Sequence, residues 1–124
     1  MAIAKQLSYI PWFDSDKFRV KVILGKEDIY YNLDVEYNLR GSHWSVTITT
    51  ENELVLIQNR KLVIGVDLFE NCYAKEKPNC LLFPLTDDNR ITAITRDNMI
   101  NGNVKLFQVL ESDVNSGVSF YAVL

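Results

Sequence analysis

The chain has 124 residues, of which 48% are hydrophobic and 23% are charged, and its formal net charge is -3. This length suits one ordinary domain, and the composition excludes a wholly disordered chain. A weakly acidic chain lacks the positive charge on which binding to duplex DNA depends. Its apolar runs are strand-sized, far below the ~20 residues of a membrane-spanning helix. We therefore expect one domain over residues 1–124, with no nucleic-acid and no membrane partner.

The N-terminal segment carries an apolar cluster around a proline, formed by Tyr9, Ile10, Trp12 and Phe13. Such a cluster either packs on the core of its own domain or docks on a partner, because exposed apolar clusters mark interaction sites. The four residues are therefore candidate partner contacts, and residues 1–15 form a candidate docking arm. The start of the chain has no basic stretch followed by a long apolar one, so we expect no signal peptide and synthesis in the cytoplasm.

Alternating apolar and polar residues predict a series of β-strands, because neighbouring side chains of a strand point to opposite faces. The predicted strands are 17–24, 30–37, 43–50, 54–57, 61–64, 81–85, 91–94, 104–110 and 118–124. In the third of them, Trp44, Val46 and Ile48 form the predicted core face. Pro84 has no backbone N–H, so its strand is expected to lie at a sheet edge or to end there.

The segments between these strands are polar. Residues 70–79 form the longest such segment and are predicted to be a mobile loop, while residues 58–60 are predicted to be a turn. Thr95 is a suitable N-cap for one helical turn over residues 96–100. About eight to ten short strands with regularly spaced turns predict an all-β fold. We expect a single antiparallel β-sandwich or small β-barrel with one short helical turn.

The reactive residue types form no recognisable active site in the sequence. His43 is the only histidine, and its neighbours in the strand point to the opposite face, so a surface or turn role is favoured over a general base. Asp34 and Glu36 share one strand face, which favours a solvated surface over a catalytic carboxylate pair. Residues 87–89 lack the ligand spacing of a calcium loop. We therefore expect no catalytic residue, no metal and no cofactor.

Two other groups of residues leave alternatives open. Cys72 and Cys80, the two cysteines, are too few for a zinc site with one histidine, and free thiols are favoured in a reducing compartment. Lys17, Arg19 and Lys21 share one strand face, which suits either a nucleic-acid platform or a charged edge that prevents strand pairing. The acidic strand that follows favours the charged edge.

Several features follow one another in a fixed order over residues 9–110. They are Tyr9-Ile10-Pro11, the strand 18–24, Tyr31-x-Leu33-x-Val35-x-Tyr37-Asn38, Trp44-x-Val46-x-Ile48, Leu62-Val63-Ile64-Gly65-Val66-Asp67-Leu68, Leu82-Phe83-Pro84-Leu85 and Thr95-x-Asp97-Asn98. This series resembles the baseplate plug-like proteins of contractile-tailed phages. The chain departs from the family at Cys80, where a glycine is usual, and near Met99-Ile100, where the family tends to carry Leu-Gly.

The resemblance implies a structural protein of the virion, located in the tail baseplate near the tail axis. It implies hub, spike or tail-tube proteins as partners, assembly in multiple copies, and neither catalysis nor a cofactor. Two alternatives stay open from the residues. One is a carbohydrate- or small-ligand-binding β-module, motivated by Trp12, Tyr30, Tyr31 and Trp44, and the other is an enzyme that uses His43 with a carboxylate.

Overall fold

The computed structural model describes residues 4–6, 8–115 and 119–121, with side chains for residues 8–113. Its strands are β1 (Ala4–Gln6), β2 (Ser8–Tyr9), β3 (Lys17–Leu24), β4 (Ile29–Asn38), β5 (His43–Thr50), β6 (Val55–Lys61), β7 (Cys80–Leu85), β8 (Lys105–Leu110) and β9 (Ser119–Tyr121). The two helices are α1 (Arg96–Ile100) and α2 (Glu111–Asn115). Within these residues, no helix has the length and apolar content needed to cross a membrane.

The strands form two antiparallel sheets and one small parallel pair. The first sheet has four strands in the order β3-β4-β5-β6, and the second has three in the order β2-β8-β7. Strands β1 and β9 pair in parallel, which the sequence did not predict. Neither antiparallel sheet closes on itself over the described ranges, so the fold is a sandwich. The predicted all-β class is therefore confirmed, and of the two predicted architectures the structure has the sandwich.

The core lies between the two antiparallel sheets. Trp44, Val46 and Ile48 on β5 are fully buried, as their alternation predicts. They belong to one apolar cluster with residues of the second sheet, including Leu82 on β7 and Leu106 on β8. Side chains from the inner faces of both sheets thus interdigitate, as in other sandwiches.

Residues 54–64 differ from the prediction of two short strands joined by a turn. One continuous strand, β6, runs through the predicted turn and pairs with β5 with shifts of register. Asn59 has a φ of 49°, and its N–H donates to Thr47 Oγ1 over 3.0 Å. Asparagine tolerates this left-handed conformation, so the polar residues that suggested a turn mark a β-bulge.

The C-terminal third contains one confirmed element, one wrong prediction and one omission. Thr95 caps α1 as predicted, since its hydroxyl accepts the Asn98 N–H while the Asn98 side chain accepts the Thr95 N–H. Residues 91–94 do not form a strand, and α2 was not predicted because a five-residue helix has too few turns for a periodic pattern. The predicted strand 118–124 lies outside the described residues except at β9.

The edge position of β7 explains how the strand accommodates Pro84. Pro84 pairs with Leu106 on β8, but its backbone nitrogen and carbonyl face the other side of β7. There, the Gly65 N–H donates to the Pro84 carbonyl over 2.8 Å, and the Leu68 N–H donates to the Leu82 carbonyl over 2.7 Å. Gly65 has a φ of 78°, which favours glycine. Residues 65–68 therefore cover this edge of the second sheet.

Candidate functional site

The N-terminal apolar cluster occupies two different environments. Ile10 lies in the core at 5% exposure, and its N–H donates to the Leu106 carbonyl over 2.8 Å. Trp12 is half-buried against the same core. Tyr9 and Phe13 remain 49% and 48% exposed. Of the four candidate contacts, Ile10 and Trp12 therefore anchor the segment on its own chain, whereas Tyr9 and Phe13 remain exposed at its surface.

A group of edge-to-face aromatic rings fixes this segment to the first sheet. The Trp12 ring lies 5.4 Å from that of Phe18 and 5.3 Å from that of Trp44. Phe13 contacts Phe18 at 5.1 Å, and Tyr37 contacts Trp44 at 5.1 Å. Each edge-to-face pair contributes about 0.5–1.5 kcal/mol to stability beyond the contribution from burying its apolar area. Phe13 is thus half-exposed but held in place by packed neighbours.

Tyr9 lies on the second sheet, on the face turned away from the core. It pairs with Phe107 across β2 and β8, with 6.1 Å between the ring centroids. The Lys105 ammonium lies 4.1 Å from the centroid of the Tyr9 ring, a cation–π contact. A pocket of about 160 Å³ lies between this segment and α1, and its lining includes Tyr9, Trp12 and Ile100.

That outer face carries a second apolar cluster, which the sequence reading did not single out. Phe107 and Val109 on β8 are buried there. Three half-buried residues of β7 pack against them, namely Leu81, Phe83 and Leu85. The sequence signal for this cluster is the continuous apolar run in residues 81–85. A strand with apolar residues on both faces is expected to be covered on both of them.

The basic row of β3 is joined to acidic residues across the outer face of the first sheet. The Arg19 guanidinium donates to both oxygens of Asp34, at 2.6 and 2.9 Å, and to both oxygens of Glu53, at 2.7 and 3.1 Å. Lys21 pairs with Glu51 at 3.1 Å. The hydrogen bonds from Arg19 hold the pKa of Glu53 below its usual range. Of the three basic side chains in this row, Arg19 and Lys21 are therefore paired with carboxylates.

The other reactive residue types are dispersed. The His43 imidazole has no hydrogen bond or ion pair with another described residue, and the Asp34 carboxylate is engaged by Arg19. Within the described ranges, histidine, cysteine and carboxylate side chains form no group of three that could hold a metal ion. Cys72 and Cys80 are free thiols, with the Cys72 Sγ 3.5 Å from the Leu56 carbonyl.

Cys80 is buried at the start of β7, and this burial raises the pKa of its thiol to about 12. A free cysteine titrates near 8.5, so between about pH 8.5 and 12 the unfolded chain has lost the proton that the folded chain still holds. We therefore expect stability to fall as the pH rises through this window, by at most ~1.4 kcal/mol per pH unit from this group.

Denaturant unfolding of the wild type and of Cys80→Ala, at several values from about pH 8 to pH 11, measures this effect. The Cys80→Ala variant is expected to show the shallower decline of unfolding free energy. Cys72→Ala, whose substitution leaves the buried thiol in place, serves as the matched control and should follow the wild type. Parallel declines in the wild type and in Cys80→Ala would contradict the expectation.

The family described as cyanophage baseplate Pam3 plug gp18 matches residues 7–111, most of the chain. The chain belongs to this family. The resemblance to baseplate plug proteins is therefore confirmed, and it supports a structural role in a phage tail baseplate. The matched range contains both antiparallel sheets and the N-terminal aromatic segment of this plug-family protein, and it leaves β1 and β9 outside. No curated protein matches the chain.

Proposed function

We propose that this protein is a structural plug of a phage tail baseplate, near the tail axis, that acts through contacts and not through catalysis. It is made in the host cytoplasm, enters the virion in multiple copies and packs against hub, spike or tail-tube proteins. Family membership over residues 7–111 is the observation that carries the proposal.

We propose Tyr9 and Phe13 as the partner contacts of the N-terminal segment. Both rings are about half-exposed, and both are held by packed neighbours, Tyr9 by Phe107 and Phe13 by Phe18. Aromatic side chains whose positions are already fixed lose little conformational entropy on binding, which makes them effective anchors of an interface.

The aromatic residues that suggested a carbohydrate-binding module do not form a platform for stacking on a sugar. Trp44 is fully buried and Tyr31 is 3% exposed, and the Tyr31 hydroxyl donates to the Glu76 carbonyl over 3.0 Å. Tyr30 is exposed, but Lys21 lies over its ring at 5.2 Å. These positions favour the baseplate plug over the alternative of a ligand-binding module.

Incorporation into virions tests the proposal. The double variant Tyr9→Ala/Phe13→Ala, supplied in trans to a phage lacking the gene, is expected to enter purified particles at least about tenfold less than the wild type, because interface anchors carry most of the binding energy. Quantitative mass spectrometry of the particles measures the copy number. Tyr73→Ala, at a 90% exposed site, is the matched control and should be incorporated like the wild type.

Two outcomes would overturn separate parts of the proposal. A wild-type protein absent from purified virions would exclude the baseplate role. A double variant with wild-type incorporation would exclude Tyr9 and Phe13 as anchors while leaving the baseplate role in place. The double variant loses two aromatic pairs, so a lower melting temperature is expected. A thermal unfolding transition that stays cooperative separates a lost contact from a lost fold.

A further inference from the structure

Phe107 and Val109 are buried although they lie on the outer face of the second sheet. Leu106, next to Phe107 on β8, belongs to the core between the sheets. Because successive side chains of a strand point to opposite faces, Phe107 and Val109 face away from that core. Their exposed fractions are nevertheless 0% and 4%. This face therefore has a cover that the core between the sheets does not supply.

The flanking strands do not supply this cover. Tyr9 and Phe83 lie opposite Phe107 on β2 and β7, but Tyr9 is itself 49% exposed and Phe83 is only half-buried. Side chains of a strand stand roughly perpendicular to the sheet, so these neighbours shield the sides of the Phe107 ring and leave its top open. Helix α2, which follows β8, contains a single apolar residue, Val114. A further segment of the chain must therefore lie over the cluster.

The parallel pairing of β1 with β9 brings β9 close to the second sheet. A single residue separates β1 from β2, and β2 is hydrogen-bonded to β8. On β9, Tyr121 lies opposite Gln6 of β1. Strands of a parallel pair run in the same direction about 4.8 Å apart. A chain that continues for three residues in this direction reaches the level of Tyr9, and hence that of Phe107.

The sequence of the segment 116–124 suits an apolar face. This segment contains no charged residue, and period-2 alternation places on one side of it Val118, Phe120, Ala122 and Leu124. The segment 1–7 is less suitable, because it carries Lys5 on one side and Gln6 on the other. Of the two segments near β1 and β9, residues 116–124 therefore match the outer face of the second sheet.

We infer that residues 116–124 pack over the outer face of the second sheet and bury Phe107 and Val109. The side of this segment that carries Phe120 lies against the sheet, and the side that carries Tyr121 points away from it. This inference goes beyond the proposed function, because it concerns a contact within the chain and holds with or without a baseplate partner.

Such a cover decides which apolar surfaces remain for a partner. Without it, the outer face would present five large apolar side chains together, those of Phe107, Val109, Leu81, Phe83 and Leu85. Exposed apolar patches of this kind mark interaction sites. With residues 116–124 in place, this face is closed to partners, and Tyr9 at its border stays accessible.

Methyl NMR of the full-length protein tests the contact directly. Nuclear Overhauser effects are expected between the Val109 methyl groups and protons of residues 118–124. Val46 provides the internal control, because it is buried on the first sheet, across the roughly 10 Å that separate packed sheets. Its methyl groups should show no such effects to residues 118–124.

Phe120→Ser and Tyr121→Ser form the matched pair of variants, since they change neighbouring aromatic residues on opposite sides of the segment. Phe120→Ser is expected to loosen the cover and to raise the fluorescence of the dye ANS about threefold or more, because ANS binds exposed apolar surface. Tyr121→Ser should bind ANS like the wild type. If Phe120→Ser does not fold, the Overhauser effects of the wild type decide the matter.

Val109 methyl groups without Overhauser effects to residues 118–124 would overturn the inference, as would effects that lead only to residues 1–7. Equal ANS fluorescence of the two folded variants would overturn it as well. None of these results depends on the entry of the wild type into virions, so the proposed function stands or falls separately.

Discussion

Replacing Trp44 by alanine is expected to lower the free energy of unfolding by about 3–5 kcal/mol, the usual cost of truncating a buried aromatic residue. Trp44 is fully buried on β5. Its ring contacts Tyr37 on the same sheet and Trp12 on the N-terminal segment. Since domains of this size are stable by about 5–15 kcal/mol, this one substitution removes a large share of the total.

Guanidinium unfolding followed by circular dichroism measures this loss. Tyr73→Ala is the control, because a side chain that is 90% exposed is expected to contribute within about 0.5 kcal/mol. The chain has two tryptophans, so the native fluorescence of Trp44→Ala reports on Trp12 alone. We expect a red shift, because Trp12 loses its packing partner. A loss below about 1 kcal/mol would contradict the role of Trp44 in joining the segment to the sheet.

Replacing Asp67 by alanine is expected to cost about 2–3 kcal/mol, because it removes a charged acceptor shared by two backbone donors. The Asp67 Oδ1 accepts the Leu82 N–H at 2.9 Å and the Phe69 N–H at 3.1 Å. Both donor residues are buried, so water does not readily replace the lost acceptor. The substitution thereby weakens the cover over the outer edge of β7.

Asp67→Asn is the matched variant, since its amide oxygen retains an acceptor without the charge. It is expected to lose less than half of what Asp67→Ala loses. Hydrogen exchange of the Leu82 amide provides the local measurement and should accelerate in Asp67→Ala more than global unfolding explains. An Asp67→Ala protein with the stability and exchange of the wild type would show that residues 65–68 do not depend on this carboxylate.

Trp44 and Asp67 also mark the difference between what was predictable and what was not. The burial of Trp44 follows from the alternation of Trp44, Val46 and Ile48 with polar residues, a pattern that is visible in six consecutive residues of the sequence. The role of Asp67 depends on Leu82, which comes close only when residues 65–68 reach the edge of β7. No periodic pattern relates two such positions, so the sequence presented Asp67 only as part of a family motif.

The candidate site shows the same division. The sequence identified the apolar segment Tyr9–Phe13 and left open whether it packs on its own chain or on a partner. The structure separates its members, since Ile10 and Trp12 pack inward while Tyr9 and Phe13 remain half-exposed. This separation depends on Phe18 in the strand that follows the segment, and on Trp44 and Phe107, which lie on strands distant in the chain.

By itself, the sequence determined the all-β class, most of the strands, the Thr95 cap and the resemblance to baseplate plugs. These features depend on the two-residue period of a strand and on chemistry between near neighbours. Only the tertiary structure decided the sandwich, the bulge at Asn59, the parallel pairing of β1 with β9, and which sheet edges are covered. Each of these is fixed by hydrogen bonds and packing between residues far apart in the chain, which local patterns of residues do not encode.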